Sequence, residues 1–295
     1  MTLLTPTAWR DYELLDTSGG EKLERYDKFI LRRPEPQAVW TKALPGPEWN
    51  RLSNATFKRE DERQGGSEKG EWILKTGMPE QWFIGYQWRE LKIRMRLGLT
   101  AFKQIGIFPE QAENWNFIYQ AVREGGATTP RVLNAFAYTG GASLAAKAAG
   151  ADVVHVDSVR RVINWAAENQ EASGLNGIRW VVEDAVKFMR REVKRGRTYH
   201  GIILDPPAYG HGPAGERWVL EEGIGDLIQL CSQLLEKAHS FLVLNLYSMS
   251  FSALIAENLI KTHFPEIDNS EFGELYLPDR SGKKLPLGVF LRFRR

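Results

Sequence analysis

One cysteine, Cys231, occurs in 295 residues. That excludes an intrachain disulfide, a cysteine-rich zinc cluster and a Cys-pair redox motif. Long apolar runs are missing too. Trp9, Arg10, Asp11 and Glu13 occupy the stretch where a signal peptide needs apolar residues. No run approaches the ~20 residues of a membrane-spanning helix. A soluble, cytoplasmic chain without membrane or metal partners is therefore expected. Charge of one sign is also scarce: 39 Lys+Arg face 37 Asp+Glu, a net charge of +2. A nucleic acid would have to be gripped by a local patch, not by the field of the whole molecule. What is present is core material, with 43% hydrophobic residues and 27 Gly. The length suits one large domain or two modest ones.

Two grammars divide the chain. Residues 1–105 read as a β-rich region with a possible part in substrate recognition. Strand-like runs at Asp11–Leu15, Tyr26–Leu31, Trp72–Lys75 and Gln81–Thr100 alternate with turn signals. These signals include Ser18-Gly19-Gly20, Pro34-Glu35-Pro36, Pro45-Gly46-Pro47 and Gly65-Gly66-Ser67. Six of the ten tryptophans lie here, as core filling or as stacking platforms for bases. Along Glu90–Thr100 the apolar Leu91, Ile93, Met95, Leu97 and Leu99 alternate with polar positions that include Lys92, Arg94 and Arg96. Period-2 spacing puts the cations on one face, either a solvated face or a phosphate contact.

Residues 106–295 alternate strands and helices. Strands are expected at Arg131–Phe136, Asp152–Asp157, Ile178–Val182, Gly201–Leu204 and Ser240–Leu246. Helices are expected at Gly141–Ala149, Val159–Ser173, Ala185–Arg195 and Glu222–Leu235. This predicts an α/β fold with a Rossmann-like, doubly wound parallel sheet. Glu271–Pro278 and Leu287–Arg294 flank a turn at Asp279-Arg280-Ser281-Gly282 and close it as an antiparallel pair.

The first strand runs into Asn134-Ala135-Phe136-Ala137-Tyr138-Thr139-Gly140-Gly141. Ligands of open α/β sheets bind beyond such strand ends. The pair Gly140-Gly141 admits a ligand close to the backbone. Neither G-x-G-x-x-G nor G-x-x-x-x-G-K-[ST] occurs, so a nucleoside-like ligand without a phosphate chain fits best. Asp157, Asp184 (followed by Ala185) and Asp205 end the next three strands. A carboxylate at Asp157 can accept ribose hydroxyls, and one at Asp184 an adenine amine, although each acid could also be a helix cap. Two prolines after Asp205, in Asp205-Pro206-Pro207-Ala208-Tyr209, fix the chain so that Asp205 and nearby carbonyls can hold an amine. Tyr209 could stack on a planar substrate. His211, in a glycine-rich loop, is a possible general base or a plain surface residue.

These stretches resemble class I S-adenosylmethionine-dependent methyltransferases, and within them the bacterial 23S ribosomal RNA large-subunit methyltransferases. The resemblance covers about Phe102 to Arg295. It implies S-adenosylmethionine as cofactor, with Tyr138, Thr139 and Gly140 at its methionine part. It also implies Asp157 at the ribose, Asp184 at the adenine and Asp205 near the sulfonium. Phe108 and Gln111 occupy the place of a Phe-Phe-x-x-Gln segment beside the cofactor. The β-rich start resembles instead a bacterial branch carrying a Phe-Pro-Glu-Gln segment. Members that methylate carbon 5 of cytosine need a thiolate after the fifth strand. Here that stretch is Asn245-Leu246-Tyr247-Ser248-Met249-Ser250, and Cys231 reads as a core residue.

The expectation is methyl transfer to nitrogen or oxygen, on RNA. Asp205, Pro206 and Tyr209 would serve the acceptor. Asn134, Phe136 and Ala185 would join the cofactor residues. A protein or small-molecule acceptor, a non-catalytic RNA-binding module and a nicotinamide oxidoreductase stand as alternatives.

Overall fold

The computed structural model describes residues 1–60, 69–247 and 251–295. The turn read at Gly65-Gly66-Ser67 lies outside the described residues, as does Ser248-Met249-Ser250. The first part contains β1 (Thr2–Leu4), β2 (Tyr12–Ser18), β3 (Glu21–Tyr26), β4 (Phe29–Pro34) and α1 (Gly46–Leu52). It continues with β5 (Ala55–Arg59), β6 (Gly70–Leu74), β7 (Gln81–Trp88) and β8 (Leu91–Gly98). β2 to β6 form one sheet in that order, and β7–β8 is a separate hairpin.

Two runs read as single strands are hairpins. Tyr26–Leu31 turns at Asp27 (φ +56°), and Gln81–Thr100 turns at Arg89 (φ +50°). Neither turn contains a glycine, so the left-handed residue that reverses the chain carries no sequence mark. Pro45-Gly46-Pro47 does not end an element but starts α1, with proline in the first turn where its missing N–H is harmless. The alternation of β8 is as expected: Leu91, Ile93, Met95 and Leu97 are buried while Lys92 and Arg94 are exposed. The six tryptophans fill core. Trp49 and Trp82 are buried, and Trp9, Trp40, Trp72 and Trp88 pack against the core half-buried.

The second part runs α2 (Ala112–Glu124), β9 (Arg131–Ala135), α3 (Gly141–Ala148), β10 (Asp152–Asp157), α4 (Arg160–Ala172), β11 (Arg179–Val182) and α5 (Ala185–Lys194). Then follow β12 (Gly201–Leu204), β13 (Tyr209–His211), β14 (Arg217–Val219), α6 (Leu220–Leu234), β15 (Phe241–Leu246), α7 (Ala253–His263), β16 (Glu271–Pro278) and β17 (Lys284–Arg294). Gly150 (φ +102°) and Gly174 (φ +66°) follow α3 and α4 in the left-handed conformation that ends a helix. The sheet order is β1-β16-β17-β15-β12-β9-β10-β11. β9 to β12 and β15 are parallel, and β17 lies antiparallel between β15 and β16. The chain winds from β9 toward β11 on one side and from β12 toward β15 on the other. The switch point therefore lies between β9 and β12. The glycine-rich stretch after Asp205 is not an open loop but the short hairpin β13–β14.

One core cluster spans both parts. It includes Ile93, Met95 and Leu97 of β8 together with Trp115, Ile118, Leu144 and Val153. β1 pairs with β16, so the first residues belong to the second sheet. The tip of the β16–β17 hairpin reaches the N-terminal sheet. There Lys283 Nζ lies 3.2 Å from Asp16 Oδ1, and Thr17 Oγ1 donates to Asp279 Oδ2 at 2.8 Å. Asp16 is fully buried and also accepts from Leu44 N (2.8 Å) and Trp49 Nε1 (2.9 Å). Asp16→Ala strands the buried Trp49 Nε1 and leaves the half-buried Leu44 N and Lys283 without their acceptor. It is expected to cost about 3 kcal/mol or more in urea unfolding; a loss below about 1 kcal/mol would contradict this account.

Candidate active site

The loop after β9 is held in a strained form. Phe136 (φ +57°), Tyr138 (φ +49°) and Gly140 (φ +90°) are all left-handed. Each non-glycine residue so placed costs of order 1–3 kcal/mol, which surrounding contacts must offset. Those contacts are visible. Thr139 Oγ1 donates to Gly106 O (2.7 Å), Asn169 Nδ2 donates to Thr139 O (2.9 Å), and Tyr138 N donates to Asp157 Oδ2 (3.0 Å). The two glycines serve different needs. Gly140 supplies the positive φ. A Cβ on Gly141 would stand 2.5 Å from the Trp115 ring, so that glycine answers to α2 packing rather than to a ligand.

A pocket opens at the switch point. It is lined by Phe108, Gln111, Asn134, Phe136, Tyr138, Thr139, Gly140 and Asp205, all anticipated from sequence. It is lined as well by Met95, Asn114, Trp115 and Asn245. Met95 comes from the β-rich part, so that part contributes to the wall. Beneath the pocket, Asn134 Nδ2 donates to Ser143 Oγ (2.9 Å), which lies 3.0 Å from His155 Nδ1. Burial holds the His155 imidazole down to about 3, so it is neutral.

Asp205 is the polar focus. Asn245 Nδ2 donates to its Oδ1 at 2.7 Å, and burial pushes the carboxyl up to about 6 against that bond. Asn245 Oδ1 is itself buried without a partner. Asn245 was missed in sequence because only the β12–β15 pairing brings it to Asp205. Glu110 was missed too. It is buried, and its carboxyl is pushed up to about 7, chiefly by burial. Lys22 opposes the rise, and the charges of Glu24 and Asp205 add to it.

Other expected residues lie elsewhere. Asp157 borders the pocket through the Tyr138 bond, and its Oδ1 accepts from Val159 N at 2.9 Å. Asp184 caps α5, accepting from Lys187 N at 2.8 Å, and lines a separate groove with Lys187, Arg190 and Arg217. Ala185 begins α5 and is buried. Pro206 is buried, whereas Tyr209 is exposed and its ring stands edge-on to His211 (85°). The cationic face of β8 and the basic side chains of and after α5 are partly spent. Arg96 pairs with Glu168 (2.6 Å) and covers Trp165. Arg191 bonds Glu183 (2.7 Å) and Arg195 bonds Glu192 (3.0 Å). Cys231 is buried on the inner face of α6, and burial pushes its thiol up. No helix among the described residues is long and apolar enough to cross a membrane. None of their His, Cys, Asp and Glu side chains cluster to hold a metal.

Comparison with known proteins gives this geometry a context. The chain is 31% identical over 154 residues to ribosomal RNA large subunit methyltransferase K/L of Syntrophotalea carbinolica, covering 51% of this chain and 20% of that protein. It is 33% identical over 112 residues to ribosomal RNA large subunit methyltransferase I of Aeromonas salmonicida, covering 37% of this chain and 27% of that one. The match thus spans about a quarter or less of these relatives' length. The solved structure of a SAM-dependent methyltransferase from Agrobacterium tumefaciens superimposes with a TM-score of 0.89 at 34% identity. That superposition covers 100% of this chain and 93% of the other. The sequence model of the S-adenosylmethionine-dependent methyltransferases matches residues 47–244. With that match over most of its length, the chain belongs to the S-adenosylmethionine-dependent methyltransferase family.

Proposed function

We propose that this protein transfers a methyl group from S-adenosylmethionine to a nitrogen or oxygen atom of RNA. The observation that carries the reading is the switch-point pocket, where the strained Phe136–Gly140 loop meets the half-buried Asp205 and its buried partner Asn245. The residues present fit the cofactor. Gly140 supplies the left-handed φ that closes the loop, and the orphaned Asn245 Oδ1 is an acceptor awaiting a donor. When bound, S-adenosylmethionine supplies an electrophilic methyl group on a cationic sulfonium.

The chain's own residues then divide the work. Phe108, Gln111, Asn134, Phe136, Tyr138, Thr139 and Gly140 border the methionine part. Asp157 accepts the ribose hydroxyls, and Asp184, with Ala185 beside it, faces the adenine. Asp205 and the Pro206 backbone carbonyl hold the acceptor, and the Asp205 carboxylate takes up the proton it sheds. Tyr209 offers an exposed ring for a planar substrate. Positioning, more than acid–base power, supplies the rate. The buried, unactivated Cys231 favours direct transfer over a thiolate route. RNA is supported by the names of the matched relatives, and a cytoplasmic location accords with such a substrate.

Asp157→Ala is expected to weaken S-adenosylhomocysteine binding at least 10-fold, about 1.4 kcal/mol, by calorimetry. Binding equal to wild type would remove Asp157 from the cofactor site. The Asp205 carboxyl rests at about 6, so below that pH it is protonated and cannot accept a proton. Turnover over kcat/KM profiles on RNA should rise with pH through about 6 and then level. Asp205→Asn should flatten that limb and lower transfer about 100-fold or more while cofactor binding stays within about 3-fold. An unchanged profile would argue against Asp205 as the acceptor's partner.

A further inference from the structure

The turn at Asp205-Pro206-Pro207 cannot lock itself. Its ladder ends at Leu204, which pairs with Ala135 on one side and Leu244 on the other. Pro206 and Pro207 then bring no backbone N–H, so hydrogen bonds can hold these two residues only through their carbonyls. Asn245 holds the Asp205 side chain. The carbonyls that follow are held from β14 and the start of α6. Trp218 Nε1 donates to Pro207 O at 2.7 Å, and Leu220 N donates to Ala208 O at 3.0 Å.

Trp218 reaches the cofactor loop as well. Its buried ring stands 5.2 Å from the ring of Phe136, tilted by 46°. Phe136 lines the switch-point pocket in its left-handed conformation (φ +57°). One indole therefore touches the Asp205 turn through its N–H and the loop after β9 through its ring. The helix α6 makes room for it. A Cβ on Gly223 would stand 2.5 Å from the Trp218 ring, closer than real contacts allow, so this approach requires a glycine. Gly223 lies in the first turn of α6, where glycine is unfavourable for the helix itself.

We propose that Trp218 is the positioning residue of the methyl-acceptor half of the site: its N–H sets the Pro207 carbonyl and, through the stiff proline pair, the orientation of Asp205 and the Pro206 carbonyl. This rests on the reading of Asp205 and Pro206 as the acceptor's partners, not on the acceptor being RNA. Methyl transfer depends on alignment, so a displacement of about 1 Å in those groups falls on the chemical step. The cofactor is held by other residues and keeps its affinity. Trp218→Phe isolates the role, because it keeps a ring in the Phe136 contact and removes the donor. Gly223→Ala approaches from the other side. It favours the helix by propensity, yet its methyl displaces the indole.

The test is single-turnover transfer from tritium-labelled S-adenosylmethionine to an extract of cells lacking the gene, separated into RNA, protein and small-molecule fractions. The enzyme is in excess and its concentration is varied. Trp218→Phe and Gly223→Ala should each lower the saturated rate at least 10-fold. The half-saturating enzyme concentration, and S-adenosylhomocysteine affinity by calorimetry, should stay within 3-fold of wild type. A smaller loss of rate, or affinity that falls in step with the rate, makes Trp218 ordinary core and overturns the proposal. Should Trp218→Phe fail to fold, Gly223→Ala decides by the same criteria. Asp205→Asn separates this proposal from the reading beneath it. A wild-type rate in Asp205→Asn overturns both, whereas a lost rate there beside a wild-type rate in Trp218→Phe overturns this proposal alone. Label in the protein fraction overturns the RNA reading only, and the same rates are then compared on that fraction.

Discussion

The burial of Asp16 beside Lys283 is the constraint on which the rest depends. It fastens the tip of the β16–β17 hairpin into the N-terminal sheet, together with the Thr17–Asp279 bond. A second ion pair, Arg280 with Glu13 at 2.7 Å, lies at the edge of the same contact. β17 is hydrogen-bonded to β15, and β15 carries Asn245. The fastening thus ties the N-terminal sheet to the strand that positions Asp205. The shared core around Met95 and Trp115 ties the two parts together from the other side.

Burial also sets the chemistry. Asp205 and Glu110 carry no cation within hydrogen-bond reach and are pushed up to about 6 and about 7. Glu24, the most deeply buried of the three, has Arg33 and Lys22 beside it and is held below its usual range despite burial. The contrast is one of partners, not of depth. Carboxylates poised near neutrality at a cleft are what a site needs to take a proton during transfer. His155, buried without a cation-stabilising partner, goes the opposite way and stays neutral beneath the loop.

The second part was legible in sequence to a large extent. Strand–helix alternation, left-handed glycines after α3 and α4, and acids at strand ends are local signals, and they located most of the pocket. The first part was less legible, because its reversals at Asp27 and Arg89 use residues that do not announce a turn. Asp184 shows that a strand-end acid also serves locally, since its side chain caps α5. Glu110 and Asn245 were invisible for a different reason. Each matters only through neighbours more than thirty residues away, and no local pattern encodes that.

The account's central claim is that this fold methylates RNA from the switch-point pocket. The most direct measurement is mass spectrometry of the nucleosides of ribosomal RNA from cells with and without the gene. The account predicts one methylated nucleoside that disappears on deletion, returns with the wild-type gene and fails to return with Asp205→Ala. An unchanged set of methylated nucleosides in the deleted cells would contradict it.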